Sequence, residues 1–212
     1  MMADEIRIGG STFRIEAAQF GPSDLEKVSG MPKQIARLWR SRGLLPDHPR
    51  GRATYGTREV AEIMVRFDLS RLGVPPSVSR EIAANAAQIV LWFALLNSDG
   101  ACEVKGDESD VELFLAAFNR NEKVVDSISG TSDAFQFLVA FPSSEPEFAT
   151  QIDNLFQSKS ARAAMVIDLS QVALDLSEKV GRPLFSISSS CEAERMVRRL
   201  TGHRPLHVRL VT

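Results

Sequence analysis

The sequence predicts an α+β fold for this chain of 212 residues. In the first half, apolar residues recur at helical spacing, and in the second half short apolar runs alternate with helical segments. The composition, 44% hydrophobic and 25% charged, is ordinary for a globular protein. No run approaches the ~20 apolar residues that a bilayer-spanning helix needs. We therefore expect a cytoplasmic protein that does not contact a membrane.

The cysteines and histidines argue against a metal or disulfide scaffold. Cys102 and Cys191 lie far apart in the sequence and belong to no Cys-x-x-Cys pair. His203 and His207 would share one face of a helix, but Pro205 between them disfavours a helix there. We expect a reducing compartment, no metal site and no cofactor.

The net charge of −2 conceals a basic segment in the first third of the chain. Between Met31 and Arg58, basic residues outnumber acidic ones seven to one. A cluster of basic residues in an otherwise acidic chain is expected of a nucleic-acid-binding module. The alternative explanation of the cluster is a helix face exposed to solvent. The basic residues of the segment are Lys33, Arg37, Arg40, Arg42, Arg50, Arg52 and Arg58.

Two short helices are predicted before this segment ends. Ser23 to Glu26 has the pattern of a capping box, and Gly30 would end the helix that begins there. Pro32 suits the first turn of a second helix, which can continue to Gly43. Closely spaced helices joined through a glycine predict a helix-turn-helix.

The second helix is predicted to have an apolar face and a cationic face, because residues advance about 100° around a helix axis. The apolar face would contain Ile35, Leu38, Trp39 and Arg42. The cationic face would contain Lys33, Arg37 and Arg40. Arginine suits bidentate contact with guanine or phosphate, and a helix fits the major groove. Lys33 and Arg37 are candidates for base contacts, and Arg40 would contact a base or hold a phosphate. Gln34, beside them, is a further candidate DNA-binding residue.

A β-wing is predicted after the second helix. Prolines and a glycine between residues 44 and 56 exclude a helix, whereas Arg52 to Tyr55 is compatible with a strand. Arg50 and Arg52 would lie at the tip of the wing, against the DNA backbone or minor groove. Tyr55 would pack its ring beneath the wing or donate its hydroxyl to a phosphate.

Two further helices are predicted, over Val60 to Leu72 and Ser79 to Leu96. The second of these is strongly apolar at its end, where Trp92 and Phe93 would belong either to an interdomain core or to a dimer interface. Asn97 to Gly100 should end this helix.

The stretch from Leu25 to Ile82 resembles the DNA-binding domain of the MerR family. Three motifs carry the resemblance: a Gly-Leu-Leu-Pro exit from the second helix, a Gly-x-x-x-Tyr wing, and a further helix followed by glycine. In this sequence they are Gly43–Pro46, Gly51–Tyr55 and Val60–Leu72 with Gly73. The resemblance implies a winged helix-turn-helix that binds duplex DNA.

The resemblance also places Arg37 where the recognition helix of the family carries its common DNA-contacting arginine, and Trp39 at an aromatic position. The sequence departs from the family at Arg40, where an acid is usual, and at Arg52, where an aromatic is usual. Ile35–Ala36 reverses the usual polar-then-aliphatic order. The resemblance therefore implies the fold, but individual base contacts are not carried over.

A small α/β domain is predicted for the rest of the chain. Asp168 would be an acid at a helix N-terminus, since no matching base or nucleophile and no glycine-rich phosphate loop is found. The predicted strands are Phe135–Phe141, Ala163–Ile167 and Pro183–Ile187. The predicted helices are Glu112–Asn121, Glu145–Phe156 and Leu169–Val180.

Three units follow from these predictions: a winged helix-turn-helix domain at 1–82, an apolar linker or dimer helix at 83–98, and an α/β regulatory or dimerisation domain at 99–212. The long dimerising coiled coil of the MerR family is not expected, so the short apolar helix or the C-terminal region would form a homodimer.

The predicted function is that of a sequence-specific transcription regulator on double-stranded DNA, bound to an inverted repeat. The C-terminal domain would dimerise or bind an unidentified small-molecule or protein effector. One alternative is an architectural DNA-binding protein of the phage type, such as an excisionase or small packaging subunit, with the same DNA-binding domain. A DNA-targeted enzyme is the least favoured alternative, because no active site can be assembled from the sequence.

Overall fold

The computed structural model describes residues 5–45, 54–120, 122–141, 145–152, 163–189 and 206–209. The fold is mixed α and β, as predicted. The helices are α1 Pro22–Ser29, α2 Lys33–Ser41, α3 Thr57–Arg71, α4 Arg80–Asn97, α5 Glu108–Arg120, α6 Glu122–Ser129 and α7 Leu169–Val180. The strands are β1 Glu5–Ile8, β2 Ser11–Ala17, β3 Gln19–Phe20, β4 Tyr55–Gly56, β5 Cys102–Gly106, β6 Phe137–Ala140, β7 Glu147–Ala149, β8 Met165–Asp168, β9 Phe185–Ser189 and β10 Leu206–Arg209.

The largest sheet has the strand order β1-β2-β9-β5-β10. Its β1–β2 hairpin, which the sequence analysis did not predict, pairs antiparallel with β9, and β9 pairs parallel with β5. Along β2 the side chains alternate, with Phe13 and Ile15 buried and Arg14 and Glu16 exposed, because successive residues of a strand point to opposite faces. The sheet therefore joins residues of the first and third predicted units.

Over the described residues, a second sheet is formed by β3 and β4, which pair Gln19 with Gly56 and Phe20 with Tyr55. This pairing brings together the residues immediately before α1 and immediately after residues 46–53. The segment that contains α1 and α2 therefore begins and ends at one place in the fold.

A third sheet has the order β7-β6-β8. The predicted helix Glu145–Phe156 is wrong over the described residues, because Glu147–Ala149 forms β7. Pro146 disfavours helical backbone at the residue before it, and the ring of Phe148 stacks on Phe135 with centroids 5.9 Å apart. Residues 153–156 lie outside the described residues.

Helix α4 is packed against α3, α6 and α7. Val90 and Leu91 are fully buried, and Trp92 is 9% exposed with its indole N–H donating to Asp126 Oδ1 at 3.0 Å. The structure thus supports the core interpretation of the Trp92–Phe93 cluster over the dimer interpretation. The apolar character of this helix is explained by burial within the chain.

The helix ends follow from local capping. The prediction that Ser23 caps α1 is wrong, because the helix begins at Pro22 and the backbone N–H of Gly21 donates to Asp24 Oδ2 at 2.9 Å. The prediction for Asp168 is confirmed: its carboxylate caps α7 by accepting from the backbone N–H groups of Ser170 and Gln171. Although burial raises the pKa of Asp168, the hydrogen bonds it accepts lower that pKa overall.

No helix in the described part of the chain is long and apolar enough to cross a membrane. Within the same residues, no cluster of three or more His, Cys, Asp or Glu side chains has the arrangement of a metal site.

We predict that Phe13→Ala lowers the free energy of unfolding by about 3–5 kcal/mol, because the ring is fully buried and packs on Phe114 at a centroid distance of 5.3 Å. The matched control is Arg14→Ala, which removes the exposed neighbour on the opposite face and should change stability by no more than about 0.5 kcal/mol. Chemical denaturation measures both values. If Phe13→Ala lowered the free energy of unfolding no more than Arg14→Ala does, β2 would not contribute to the core.

Candidate nucleic-acid interface

Helices α1 and α2 are joined by a short turn that is held by local hydrogen bonds. Gly30 adopts a positive φ of 67°, and its N–H donates to the carbonyl of Glu26 at 3.0 Å. The N–H of Met31 donates to Ser29 Oγ at 3.2 Å, and the Met31 side chain is buried. The direction in which α2 leaves this turn is therefore constrained on both sides of Gly30.

The buried face of α2 differs from the predicted apolar face. Ala36 and Trp39 are buried and Ile35 is half-buried, but Leu38 is 40% exposed. The assignment of Leu38 to the apolar face is therefore wrong. The predicted face was rotated because it was centred on Ile35, whereas the small side chain of Ala36 allows the closest approach to the core.

The exposed face of α2 consists of Gln34, Arg37, Leu38 and Ser41. At 100° per residue, Gln34 and Ser41 lie opposite the buried face, and Arg37 and Leu38 lie within about 50° on either side. All four side chains are exposed, and so are those of Lys33 and Arg40. Lys33 and Arg40 instead lie about 90–110° from the centre of this face, at its edge. Of the predicted set, Arg37 thus lies on the exposed face, whereas Lys33 and Arg40 lie together at one edge of it.

The candidate cations of α2 differ in their partners. Lys33 Nζ lies 3.7 Å from Glu26 Oε2, in an ion pair whose lysine side chain is 73% exposed, so a phosphate can replace the carboxylate at low cost. Arg40 Nη2 donates to the hydroxyl of Tyr55 at 3.0 Å. Arg37 has no hydrogen bond or ion pair with the described residues. Arg37 is therefore the cation that is most available to a ligand.

Tyr55 is buried completely, which fits the first of its two interpretations. Its ring packs in the core beside β3, and its hydroxyl accepts the hydrogen bond from Arg40. Arg50 and Arg52, the predicted tip of the wing, lie outside the described residues.

A buried arginine, Arg66 of α3, holds the C-terminal end of α2 in place. It is 1% exposed, and its guanidinium lies 5.4 Å from the centre of the Trp39 ring. Its Nη1 donates to the carbonyl of Leu44 at 2.7 Å, and its Nη2 donates to the carbonyl of Pro76 at 3.1 Å. Phe67 packs edge-on against Trp39 with centroids 6.3 Å apart. One side chain of α3 therefore joins the exit of α2 to the loop before α4.

The charge of Arg66 is balanced by Glu62, one turn earlier on α3. Arg66 Nη1 and Glu62 Oε1 are 3.4 Å apart, and both groups lose hydration. Burial lowers the pKa of Arg66, and burial raises the pKa of Glu62 despite the attraction of the arginine. Arg66 was not predicted as a functional residue. The apolar spacing of α3 predicts a core helix, but it gives no role to the polar residues of that helix.

An open cavity of about 530 Å³ lies beside the α1–α2 turn. Ser29 and Gly30 contribute to its wall together with residues of α3, β8 and α7, including Asp68 and Asp175. Its volume falls within the range of small-molecule sites, so it meets the size requirement for the effector considered above.

The chain matches no protein-family model, and no curated protein is significantly similar to it in sequence. The MerR resemblance therefore rests on the sequence motifs alone.

We predict that the ring of Tyr55 stabilises the fold more than its hydroxyl does. Tyr55→Ala should cost about 3–5 kcal/mol of unfolding free energy because it empties a buried site. Tyr55→Phe, the matched control, should cost about 1 kcal/mol because it removes one hydrogen bond from an exposed arginine. Urea denaturation of both variants checks this, and a small loss for Tyr55→Ala would contradict the packing role.

Proposed function

We propose that the protein binds duplex DNA through α2 and acts as a sequence-specific transcription regulator. The observation that carries this proposal is the exposed face of α2, where Gln34 and Arg37 project from a helix whose other face is anchored by Trp39. An α-helix fits the major groove, and an anchored helix presents its side chains in fixed positions.

The exposed face has the side chains that base recognition requires. Arginine pairs with O6 and N7 of guanine, and glutamine pairs with N6 and N7 of adenine. Serine can form a hydrogen bond with either base. Leu38 offers an apolar contact for the methyl group of thymine. From Gln34 to Ser41 the helix rises about 10 Å, the length of about three base-pair steps.

The flanking cations suit the phosphate backbone. Lys33 and Arg40 lie seven residues apart, at the same edge of the exposed face, where a helix in the major groove would approach one strand of the DNA. Arg50 and Arg52 belong to the proposed wing and would add phosphate or minor-groove contacts. Phosphate contacts of this kind set the register of the protein, and the exposed face of α2 would then select the sequence.

Two copies of α2 are needed for a site long enough to be selective. We therefore propose a homodimer on an inverted repeat, with the two recognition helices about 34 Å apart in successive major grooves. Since the apolar part of α4 is core, dimerisation has to use another surface.

We predict that selection from a random pool of DNA duplexes yields an inverted repeat, and that Arg37→Ala weakens binding to it by about 1–3 kcal/mol. The variant should also lose base preference at one position of each half-site, because a guanine contact is removed. Affinity and base preference are measured on the selected site and on its single-base substitutions. Arg14→Ala, which removes an exposed cation from β2, is the control and should bind like wild type.

Loss of affinity that is equal for all sequences would make Arg37 a phosphate contact rather than a base contact. A selected site without two-fold symmetry would favour the architectural alternative. Failure to enrich any duplex would refute the proposed function.

A further inference from the structure

Burial of the charged side chain of Arg66 carries a large desolvation cost. Its side chain is the largest of the fully buried ones in the described chain, and its Nε is buried without a hydrogen-bond partner there. Replacement of a buried charged pair by apolar side chains of similar volume is often neutral or stabilising. Stability alone therefore gives little reason for an arginine where α3 otherwise buries Ile63, Met64 and Leu69.

The hydrogen bonds of Arg66 give a different reason. The two carbonyls that it binds, those of Leu44 and Pro76, belong to loops that flank α3 in sequence, and neither carbonyl lies within a helix. A planar guanidinium with its N–H groups in a fixed fork sets the distance and direction between two such acceptors. A methionine of similar length would fill the space but would leave both loops without this constraint.

The same guanidinium also stacks on Trp39, the main buried side chain of α2. Trp39 fixes the rotation of α2 about its axis, and Leu44 fixes its exit, where the backbone N–H of Leu44 donates to the carbonyl of Trp39 at 2.8 Å. Arg66 therefore contacts the two points that determine which side chains α2 presents to solvent.

We propose that Arg66 is a positioning residue for DNA recognition, which holds α2 at the angle at which Gln34 and Arg37 reach base edges together. The proposal rests on the proposed function of α2. Arg66 is buried, so it touches no DNA itself, and it acts on sequence preference rather than on attraction to phosphates. Its effect should therefore be seen in the ratio of specific to non-specific affinity.

The experiment compares wild type with Arg66→Met, which keeps the packing volume, and Arg66→Lys, which keeps the charge but not the fork. Binding is measured to the selected site and to an unrelated duplex of equal length, over a series of salt concentrations. Native-state hydrogen exchange follows the backbone N–H groups of α2 against those of α4. Arg71→Met, on the same helix with its side chain 70% exposed, is the matched control.

We expect Arg66→Met to lose about tenfold or more in affinity for the selected site and to change little on the unrelated duplex. The salt dependence should stay that of wild type, because no phosphate contact is removed. Hydrogen exchange should become faster in α2 than in α4. Arg66→Lys should fall between wild type and Arg66→Met, and Arg71→Met should behave as wild type.

Equal losses on both duplexes, or unchanged exchange in α2, would overturn the proposal. If Arg66→Met does not fold, Arg66→Lys decides: wild-type sequence preference in that variant would refute the role of Arg66. The two proposals can fail separately. If wild type prefers no DNA sequence but hydrogen exchange in Arg66→Met still rises selectively in α2, the proposed function is refuted and the positioning of α2 by Arg66 stands.

Discussion

Attachment of α2 along a single face is the constraint on which the proposed activity depends. A helix that offers one face to a ligand can bury only the other, and here the buried side chains are Ala36 and Trp39. So small a contact leaves the angle of the helix poorly determined by packing alone. The buried charge of Arg66 supplies the missing constraint, because a guanidinium in the core has to be paired and hydrogen-bonded.

The rest of the fold supports α3, which carries that arginine. The hydroxyl of Thr57, at the start of α3, is 3.0 Å from the carbonyl of Leu184 and 3.2 Å from that of Ala18. Arg182 donates to the carbonyl of Gln19 at 2.7 Å and stacks on Phe20. These contacts connect the β3–β4 pair and the first turn of α3 to the chain that leads into β9. Helix α2 is therefore anchored, through α3, to residues far away in the sequence.

Sequence periodicity predicted the parts of the fold whose signals are local. The apolar spacing in α3 and α4 and the run Leu169–Val180 were sufficient to place those helices, and α7 has the predicted bounds. The pairing of β2 with β9 could not be predicted in the same way, because β9 lies about 170 residues further along the chain and strand pairing over such a distance leaves no local trace. The strand β2 itself had a local signal, which is the alternation of Phe13 and Ile15 with the charged residues Arg14 and Glu16.

The candidate site was predicted in part. The cationic character of α2 and the exposure of Arg37 follow from the sequence, but the rotation of the helix does not, because Leu38 and Ala36 compete for the core and only the packed structure shows that Ala36 is buried. Arg66 could not be assigned a role at all. An arginine on a helical pattern is ordinarily a surface residue, and its burial depends on the carbonyls of two loops that the sequence does not place.

The central claim is that the exposed face of α2 lies in the major groove. Methylation interference on the selected duplex tests this most directly, because methyl groups at guanine N7 occupy the major groove and those at adenine N3 occupy the minor groove. We predict that N7 methylation blocks binding at guanines within each half-site and that Arg37→Ala abolishes the interference at one of them. Interference confined to adenine N3, or an unchanged N7 pattern in Arg37→Ala, would contradict the account.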